Sequence, residues 1–160
     1  MMVYHGSTEI IRNPDINHSY RSLDFGKGFY VTTNQHQAET WAKRKQDING
    51  TKCAYVNTYT MKENFENLKV KDFGEELSEW IDFVCDCRDG GIEYQKYDII
   101  KGKVANDKVF RVVDMYHDGI WDKERAIREI KAYPNYDQIA FITQNAIDKM
   151  LHFYSFIEVK

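Results

Sequence analysis

The fold is decided by residues 24–42, which read Asp24-Phe25-Gly26-Lys27-Gly28-Phe29-Tyr30-Val31-Thr32-Thr33-Asn34-Gln35-His36-Gln37-Ala38-Glu39-Thr40-Trp41-Ala42. Gly26 and Gly28 bracket Lys27, so the backbone there can take positive φ angles or approach another group without a Cβ in the way. A run of strong strand formers follows, and the two-residue period of a strand puts the Phe29 and Tyr30 rings on opposite faces. We therefore predict a short strand with one ring in the core and the other free for binding.

The same stretch continues into a predicted helix that ends near Ile48. Thr33 or Asn34 can cap its first turn, and Ala38, Trp41 and Ala42 recur at helical spacing on one face. The helix returns the Trp41 indole toward the strand, so Tyr30 and Trp41 can form two walls of a slot for a flat ring, where stacking contributes about 1 kcal/mol per ring pair. The alternative is that both are ordinary core aromatics.

Length, composition and charge restrict the class of protein. The chain has 160 residues, which predicts one domain covering 1–160. Hydrophobic residues at 42% and charged residues at 29% are typical of a globular protein. The net charge of -3 argues against a surface built to grip nucleic acid non-specifically. We interpret the tight cationic run 43–45 as a solvated helix face.

Targeting, redox and metal signals are weak in this sequence. No apolar run approaches the ~20 residues of a membrane span, and the N-terminus lacks an apolar signal region, so we expect a cytoplasmic protein without a membrane partner. The chain has three cysteines, Cys53, Cys85 and Cys87, an odd number that does not suggest a set of disulfides. The spacing of Cys85 and Cys87 does not suit a zinc knuckle. We predict reduced thiols and no metal site.

The remaining pattern mixes strands and helices without the regular alternation of a doubly wound fold, which predicts an α+β protein. Predicted strands cover 2–5, 29–32, 53–59, 97–102, 138–143 and 152–159. Predicted helices cover 35–48, 77–88, 109–116, 123–133 and 144–151. A polar connection, 8–23, has the length of a functional loop.

Three separated segments resemble, in the right order, the three motifs of the diphtheria-toxin and poly-ADP-ribose-polymerase branch of the ADP-ribosyltransferases. His5-Gly6-Ser7 resembles the first motif, in which the histidine bonds the ribose or nearby NAD groups and the glycine backbone holds the nicotinamide amide. The segment from Phe25 to Tyr30 is similar to the second, which implies that Tyr30 stacks on nicotinamide, and Trp41 falls where the branch places its second stacking ring.

The third motif departs from that branch at one position. A glutamate opens a strand there, whereas this chain has Gln138, although the strand, short helix and final strand that follow resemble the family pattern. The resemblance implies that Gln138 keeps a hydrogen bond to the nicotinamide-ribose 2′-hydroxyl but lacks the charge that favours the oxocarbenium-like state, a loss of ~10² to 10³ in rate. Asp107 and Asp137 are candidates by position for the missing charge. The alternative for Gln138 is an exposed turn residue.

Two further residues complete the predicted site. Arg21 can pair with the NAD diphosphate through its guanidinium, or it is an ordinary surface arginine. Tyr136 lies where relatives use a turn to choose the acceptor, and an exposed turn tyrosine is the alternative. The predicted catalytic set is His5, Tyr30 and Gln138, and the predicted cofactor-binding set is His5, Gly6, Ser7, Arg21, Gly28, Tyr30 and Trp41.

The resemblance implies an ADP-ribosyltransferase-like split β-sandwich with flanking helices. It implies a mono-ADP-ribosyltransferase that takes NAD as co-substrate, needs no metal and modifies a macromolecular acceptor, either protein or nucleic acid. The chain also resembles an uncharacterised bacterial family of stand-alone domains with a His, Tyr and Gln set, which implies a toxin-like effector, with an antitoxin as partner. Three alternatives stay open: a non-catalytic NAD or ADP-ribose binding module, an NAD glycohydrolase, and an RNA 2′-phosphate-removing enzyme of the same fold.

Overall fold

The computed structural model describes residues 1–18, 23–134 and 136–160. At Asp107 it describes the backbone but not the side chain. Strands and helices are mixed along the chain, which confirms the α+β prediction. The strands are β1 Met2–Ser7, β2 Phe29–Val31, β3 Tyr55–Met61, β4 Val70–Asp72, β5 Ile99–Lys103, β6 Asp137–Phe141 and β7 Leu151–Glu158. The helices are α1 Gln35–Asn49, α2 Leu77–Arg88, α3 Asp107–His117, α4 Lys123–Lys131 and α5 Gln144–Met150.

The strands form two sheets that meet at one point. The first sheet has the order β1-β3-β7 and is antiparallel throughout. The second has the order β2-β6-β5-β4, in which only the β4–β5 pair is parallel. Tyr4 and Thr32 join the sheets because each backbone N–H donates to the other's carbonyl, at 2.8 and 2.9 Å. This bridge places the end of β1 beside β2.

The second sheet is buried on both faces. Tyr30, Ile100 and Ala140 lie on one face and pack in a cluster with residues of α2, α3 and α4. Phe29 lies on the other face with residues of β3 and α5. The expectation that one of the two strand rings would be free is therefore wrong: Phe29 is 1% exposed and Tyr30 is 6% exposed. The period of two separates the rings correctly, but each face of β2 has its own core.

Helix α1 follows the sequence prediction closely. Asn34 caps it, since its side-chain Oδ1 accepts a hydrogen bond from the Gln37 N–H at 3.0 Å. Gly50 ends it in the left-handed conformation, at φ 63°. The helix lies directly on β1 at Gly6, where an added Cβ would come within 2.0 Å of the Ala38 carbonyl oxygen. Gly6 is the residue that allows this close approach.

Two differences from the predicted elements have local causes. Strand β1 continues through Gly6 and Ser7 because both pair with β3. Strand β4 was not predicted, since its three residues are too short for a pattern and it is defined by parallel pairing with β5. Thr143 caps α5, since its hydroxyl oxygen accepts a hydrogen bond from the Ala146 N–H at 3.2 Å. Within the described ranges we find no helix with the length and apolar character needed to cross a bilayer.

Candidate functional site

The three predicted motifs meet on adjoining strands. The His5 ring nitrogen Nδ1 lies 2.6 Å from the Tyr30 carbonyl oxygen, across the bridge between β1 and β2. Tyr30 pairs with Ala140 of β6. Gln138 precedes Ala140 by two residues and so shares its face of that strand. Residues far apart in sequence thus lie on three neighbouring strands.

His5 is a buried, neutral imidazole. Its Nδ1 faces a carbonyl oxygen, so the hydrogen-bond network assigns the proton to Nδ1 and leaves the lone pair on Nε2. Burial lowers the pKa of His5 well below its usual value, and the nearby positive charge of Lys45 lowers it further. The ring stacks on Phe29 with 4.2 Å between centroids. His5 can therefore accept a hydrogen bond from a hydroxyl at Nε2.

The backbone of the first motif already has partners. The Gly6 carbonyl, part of the backbone that the resemblance assigns to the nicotinamide amide, accepts a hydrogen bond from Lys45 Nζ at 2.7 Å. Lys45 is exposed as a whole residue, as expected of a solvated helix face, but its ammonium reaches down to β1. Loss of hydration there lowers the pKa of Lys45 to about 8. Ser7 accepts from the Glu9 N–H at 3.2 Å, which fixes the turn after β1.

The second motif folds back on Tyr30. The Tyr30 hydroxyl donates to the Gly26 carbonyl and accepts from the Phe25 N–H at 2.9 Å. Burial raises the pKa of Tyr30 well above its usual value. Gly26 has φ 87°, and a Cβ at Gly28 would lie 2.6 Å from the Phe141 carbonyl oxygen. Packing within the protein accounts for both glycines, and the stacking role of Tyr30 stays a prediction.

Trp41 is half-buried on α1, one turn before Lys45. It is thus on the helix that packs on Gly6, and its stacking role stays a prediction. Arg21 lies outside the described residues.

Gln138 is buried, so the alternative of an exposed turn residue is wrong. Its side chain is on the inner face of β6 and the residue is 3% exposed. The amide Nε2 donates to Asp24 Oδ2 at 3.1 Å and to the Lys103 carbonyl at 3.2 Å. The same carbonyl accepts from Trp80 Nε1 at 2.9 Å.

Asp24 is the site residue that sequence reasoning missed. Its Oδ2 also accepts from the Ala105 N–H at 3.0 Å, and its Oδ1 lies 3.6 Å from Arg88 Nη2. Burial raises the pKa of Asp24, while the Ala105 N–H and the Arg88 charge oppose that rise. No spacing rule relates residues 24 and 138, and the only sequence signal is that Asp24 directly precedes the glycine motif.

The two carboxylates proposed from sequence have other positions. Asp137 accepts hydrogen bonds from the Thr33 N–H at 3.3 Å and from the Thr33 hydroxyl, so it holds the corner between β2 and α1. The side chain of Asp107 lies outside the described part of the structure.

Two cavities border this region. One of about 470 Å³ is lined by Gln138, Asp137 and the strand β5, and the other, of about 330 Å³, lies between α1 and the start of α3. Tyr136 lines both, and Arg44 and Lys108 line the second. Neither wall includes His5, Tyr30 or Trp41 among the described residues. The structure thus brings His5 to Tyr30 and Asp24 to Gln138 without setting all four around either of these two cavities.

The cysteines are free, and burial raises the pKa of Cys85 to about 11 and that of Cys87 to about 12. No group of three or more His, Cys, Asp or Glu side chains with metal-site geometry occurs in residues 1–18, 23–134 and 136–160.

Comparison with known proteins gives one result. No curated protein and no solved structure matches the chain. The sequence model of a family described as "Protein of unknown function (DUF3990)" matches residues 1–153. That span includes β1, the glycine motif, α1 and β6, so every described part of the candidate site lies inside the match, and the chain belongs to the DUF3990 family.

Proposed function

We propose that this protein is an NAD-dependent mono-ADP-ribosyltransferase. The observation that carries the proposal is the junction of β1, β2 and β6. His5 contacts Tyr30 at 2.6 Å there, α1 closes on Gly6, and Gln138 lies on the next strand. The sequence resemblance predicts that the three motifs act together, and their meeting on neighbouring strands supports it.

The side chains at this junction suit positioning more than acid–base chemistry. The neutral His5 offers Nε2 as an acceptor for a ribose hydroxyl, and Gln138 offers Oε1 as an acceptor for the 2′-hydroxyl of the nicotinamide ribose. In the proposed reaction the bond from C1′ to nicotinamide breaks, and nicotinamide leaves with the electron pair. A nucleophilic atom of the acceptor then bonds to C1′ and loses its proton to solvent.

The closed packing of the site sets a requirement on NAD binding. Lys45 already donates to the Gly6 carbonyl, and that oxygen has two lone pairs, so the nicotinamide amide either shares the carbonyl or displaces the ammonium. Gln138 lines the adjoining cavity but is only 3% exposed, so binding of a ribose there requires the opening around its amide oxygen to widen. We expect a side-chain rearrangement to accompany binding.

A second candidate is a non-catalytic NAD or ADP-ribose binding module. The neutral Gln138, almost fully buried, is the observation that favours it. Such a module binds NAD and releases no nicotinamide. An NAD glycohydrolase, by contrast, releases nicotinamide without labelling an acceptor.

The test is transfer from NAD labelled in its adenylate half. The pure protein is incubated with this NAD and a bacterial lysate, and released nicotinamide and label retained on macromolecules are both measured. We expect retained label with the native protein, its loss in Trp41→Ala, and its persistence in Trp121→Ala, which changes a second half-buried tryptophan in the connection between α3 and α4. Nuclease and protease digestion then identify the acceptor class.

Three outcomes separate the candidates. Retained label that depends on Trp41 supports the transferase. Nicotinamide release with no retained label in any lysate supports the glycohydrolase. Binding of NAD with neither signal supports the binding module and overturns the transferase.

The proposed role is that of a toxin-like effector acting in the cytoplasm, with an antitoxin as partner. Expression in a bacterial host tests it. We expect growth arrest with the native chain and normal growth with Trp41→Ala, whereas arrest by both chains at equal expression contradicts a role that depends on this site.

A further inference from the structure

The Gln138 amide has a fixed orientation. Two oxygen atoms surround its Nε2, one from the Asp24 carboxylate and one from the Lys103 carbonyl. A carbonyl oxygen donates nothing and an ionised carboxylate only accepts, so both positions require an N–H from Gln138. Rotating the amide by half a turn would place its own oxygen against two acceptors. The network therefore decides which end of the amide faces inward.

The other end of the amide is left for a ligand. In the described part of the chain no donor reaches Gln138 Oε1. The fully buried side-chain polar atoms without a hydrogen-bond partner there are Asp86 Oδ2 and Arg88 Nη2. Gln138 Oε1 has no donor and is not among these buried atoms, so it keeps contact with solvent. Gln138 lines the cavity of about 470 Å³. The amide thus presents an acceptor, and not a donor, at the cavity wall.

Asp24 is itself held in place. The Ala105 N–H and Gln138 Nε2 both donate to Oδ2, and Arg88 Nη2 lies near Oδ1. Its side chain is 16% exposed. Arg88 is held in turn, since its guanidinium lies 3.8 Å from the centre of the Phe110 ring and its Nη1 contacts Asp114 at 3.2 Å. A carboxylate with three partners cannot swing away from Gln138 without leaving polar groups unpaired.

We propose that Asp24 and Gln138 act as one unit, in which Asp24 is a positioning residue that locks the Gln138 amide so that only its oxygen meets a ligand hydroxyl. The inference rests on the proposed function for the identity of that ligand, a ribose hydroxyl. In the family that this chain resembles, a glutamate carboxylate occupies the position of Gln138. Here the carboxylate is that of Asp24, which is hydrogen-bonded to the Gln138 amide.

The unit makes an unusual prediction for Gln138→Glu. That change restores the glutamate of the family that this chain resembles, yet it puts a second carboxylate beside Asp24, where like charges repel. It also leaves the Lys103 carbonyl facing an acceptor in place of the N–H that it now receives. The exchange Asp24→Asn with Gln138→Glu reverses donor and acceptor, because the amide introduced at position 24 donates to the carboxylate introduced at position 138. We therefore expect each single change to be harmful and the double exchange to recover part of the loss.

The first test of the Asp24–Gln138 pair measures the stability of variants against urea, which requires no NAD. Urea unfolding is measured for the native chain, the two single variants and the double variant, with Asp47→Asn and Gln95→Glu as exposed controls for the same changes. We expect lower midpoints in both single variants, unchanged midpoints in the controls, and a double variant more stable than the sum of the single losses predicts. Additive losses would overturn the paired unit.

The pH dependence of Gln138→Glu gives a second test of the pair. Within the described residues, the titratable groups that interact with Asp24 are Arg88 and Cys87 of α2 and Tyr30 of β2. The raised pKa values of Cys87 and Tyr30 keep both neutral between pH 5 and 8. We expect the deficit of Gln138→Glu to be larger at pH 8 than at pH 5, since acid neutralises one of the paired carboxylates. An equal deficit at both pH values contradicts the charge pair.

The second readout is nicotinamide release measured over a range of NAD concentrations. Asp24→Ala removes the acceptor that holds Gln138 Nε2 and is expected to lower kcat at least tenfold while KM changes little, and the double exchange is expected to recover activity relative to Gln138→Glu. If the native protein releases no nicotinamide, the proposed function fails and the pair is judged by the stability cycle alone. If the native protein is active and Asp24→Ala keeps full kcat, the positioning role is overturned.

Discussion

Replacing Gly6 by alanine tests the contact that joins α1 to the candidate site. An alanine Cβ at this position would lie 2.0 Å from the Ala38 carbonyl oxygen and 2.7 Å from the Ala42 nitrogen. Ordinary contact begins near 3.4 Å, so the helix must retreat by more than an ångström. Both neighbours are helix backbone, which cannot rotate aside as a side chain can.

The cost follows from the size of this overlap. Overpacking a tight contact typically costs about 1–3 kcal/mol. For a domain of about this length, each kcal/mol lowers the melting temperature by roughly 2–4 °C. We therefore expect Gly6→Ala to melt roughly 2–12 °C below the native protein.

Thermal unfolding followed by circular dichroism measures the effect. Ser7→Ala is the matched control in the same strand, because it removes only the hydrogen bond to Glu9 and should cost about 0.5–1 kcal/mol. A melting temperature for Gly6→Ala no lower than that of Ser7→Ala would refute the close approach of α1 to β1.

Three further predictions address single side chains. The pKa of Lys45 is lowered to about 8 in the folded protein, so the unfolded chain holds the Lys45 proton more tightly. The free energy of unfolding should therefore rise between pH 8 and 10. Urea unfolding should show this rise flattened in Lys45→Met and retained in the control Lys43→Met. Trp80→Phe should lower the free energy of unfolding by about 2–4 kcal/mol in denaturant titration, since a fully buried ring shrinks and the donor to the Lys103 carbonyl is lost; a loss below 1 kcal/mol would contradict that packing. Iodoacetamide at pH 8 should label Cys53 alone in the folded protein, because burial raises the pKa of Cys85 to about 11 and that of Cys87 to about 12. Mass spectrometry of a peptide digest locates the label. Label on Cys85 or Cys87 would contradict their burial.

Much of the fold could be predicted because its elements carry local signals. Asn34 and Gly50 mark the two ends of α1, and the apolar spacing of Leu77, Trp80, Ile81 and Val84 marks α2. Strand β4 carries no such signal, since Val70–Asp72 is defined by a neighbour 29 residues further along the chain. A pattern of period two also cannot show that both faces of a strand are covered, which is why the buried state of Tyr30 was not predicted.

The candidate site was predictable only where residues are adjacent in sequence. The motifs at His5, Tyr30 and Gln138 are local patterns, and the structure places them on neighbouring strands. The contact of Asp24 with Gln138 and that of Lys45 with Gly6 join residues 114 and 39 positions apart, which no spacing rule links. Both contacts depend on tertiary packing of α1, α2 and the strands.

The central claim, that NAD binds where α1 meets β1 and β2, is tested most directly by measuring NAD affinity with calorimetry. The native protein, Trp41→Ala and the control Trp121→Ala are compared at one pH and salt concentration. Loss of one stacked ring is worth about 1–1.5 kcal/mol, so the account predicts roughly tenfold weaker binding in Trp41→Ala and native affinity in Trp121→Ala. Equal affinity in all three proteins, or no binding of NAD by the native chain at millimolar concentration, would contradict the account.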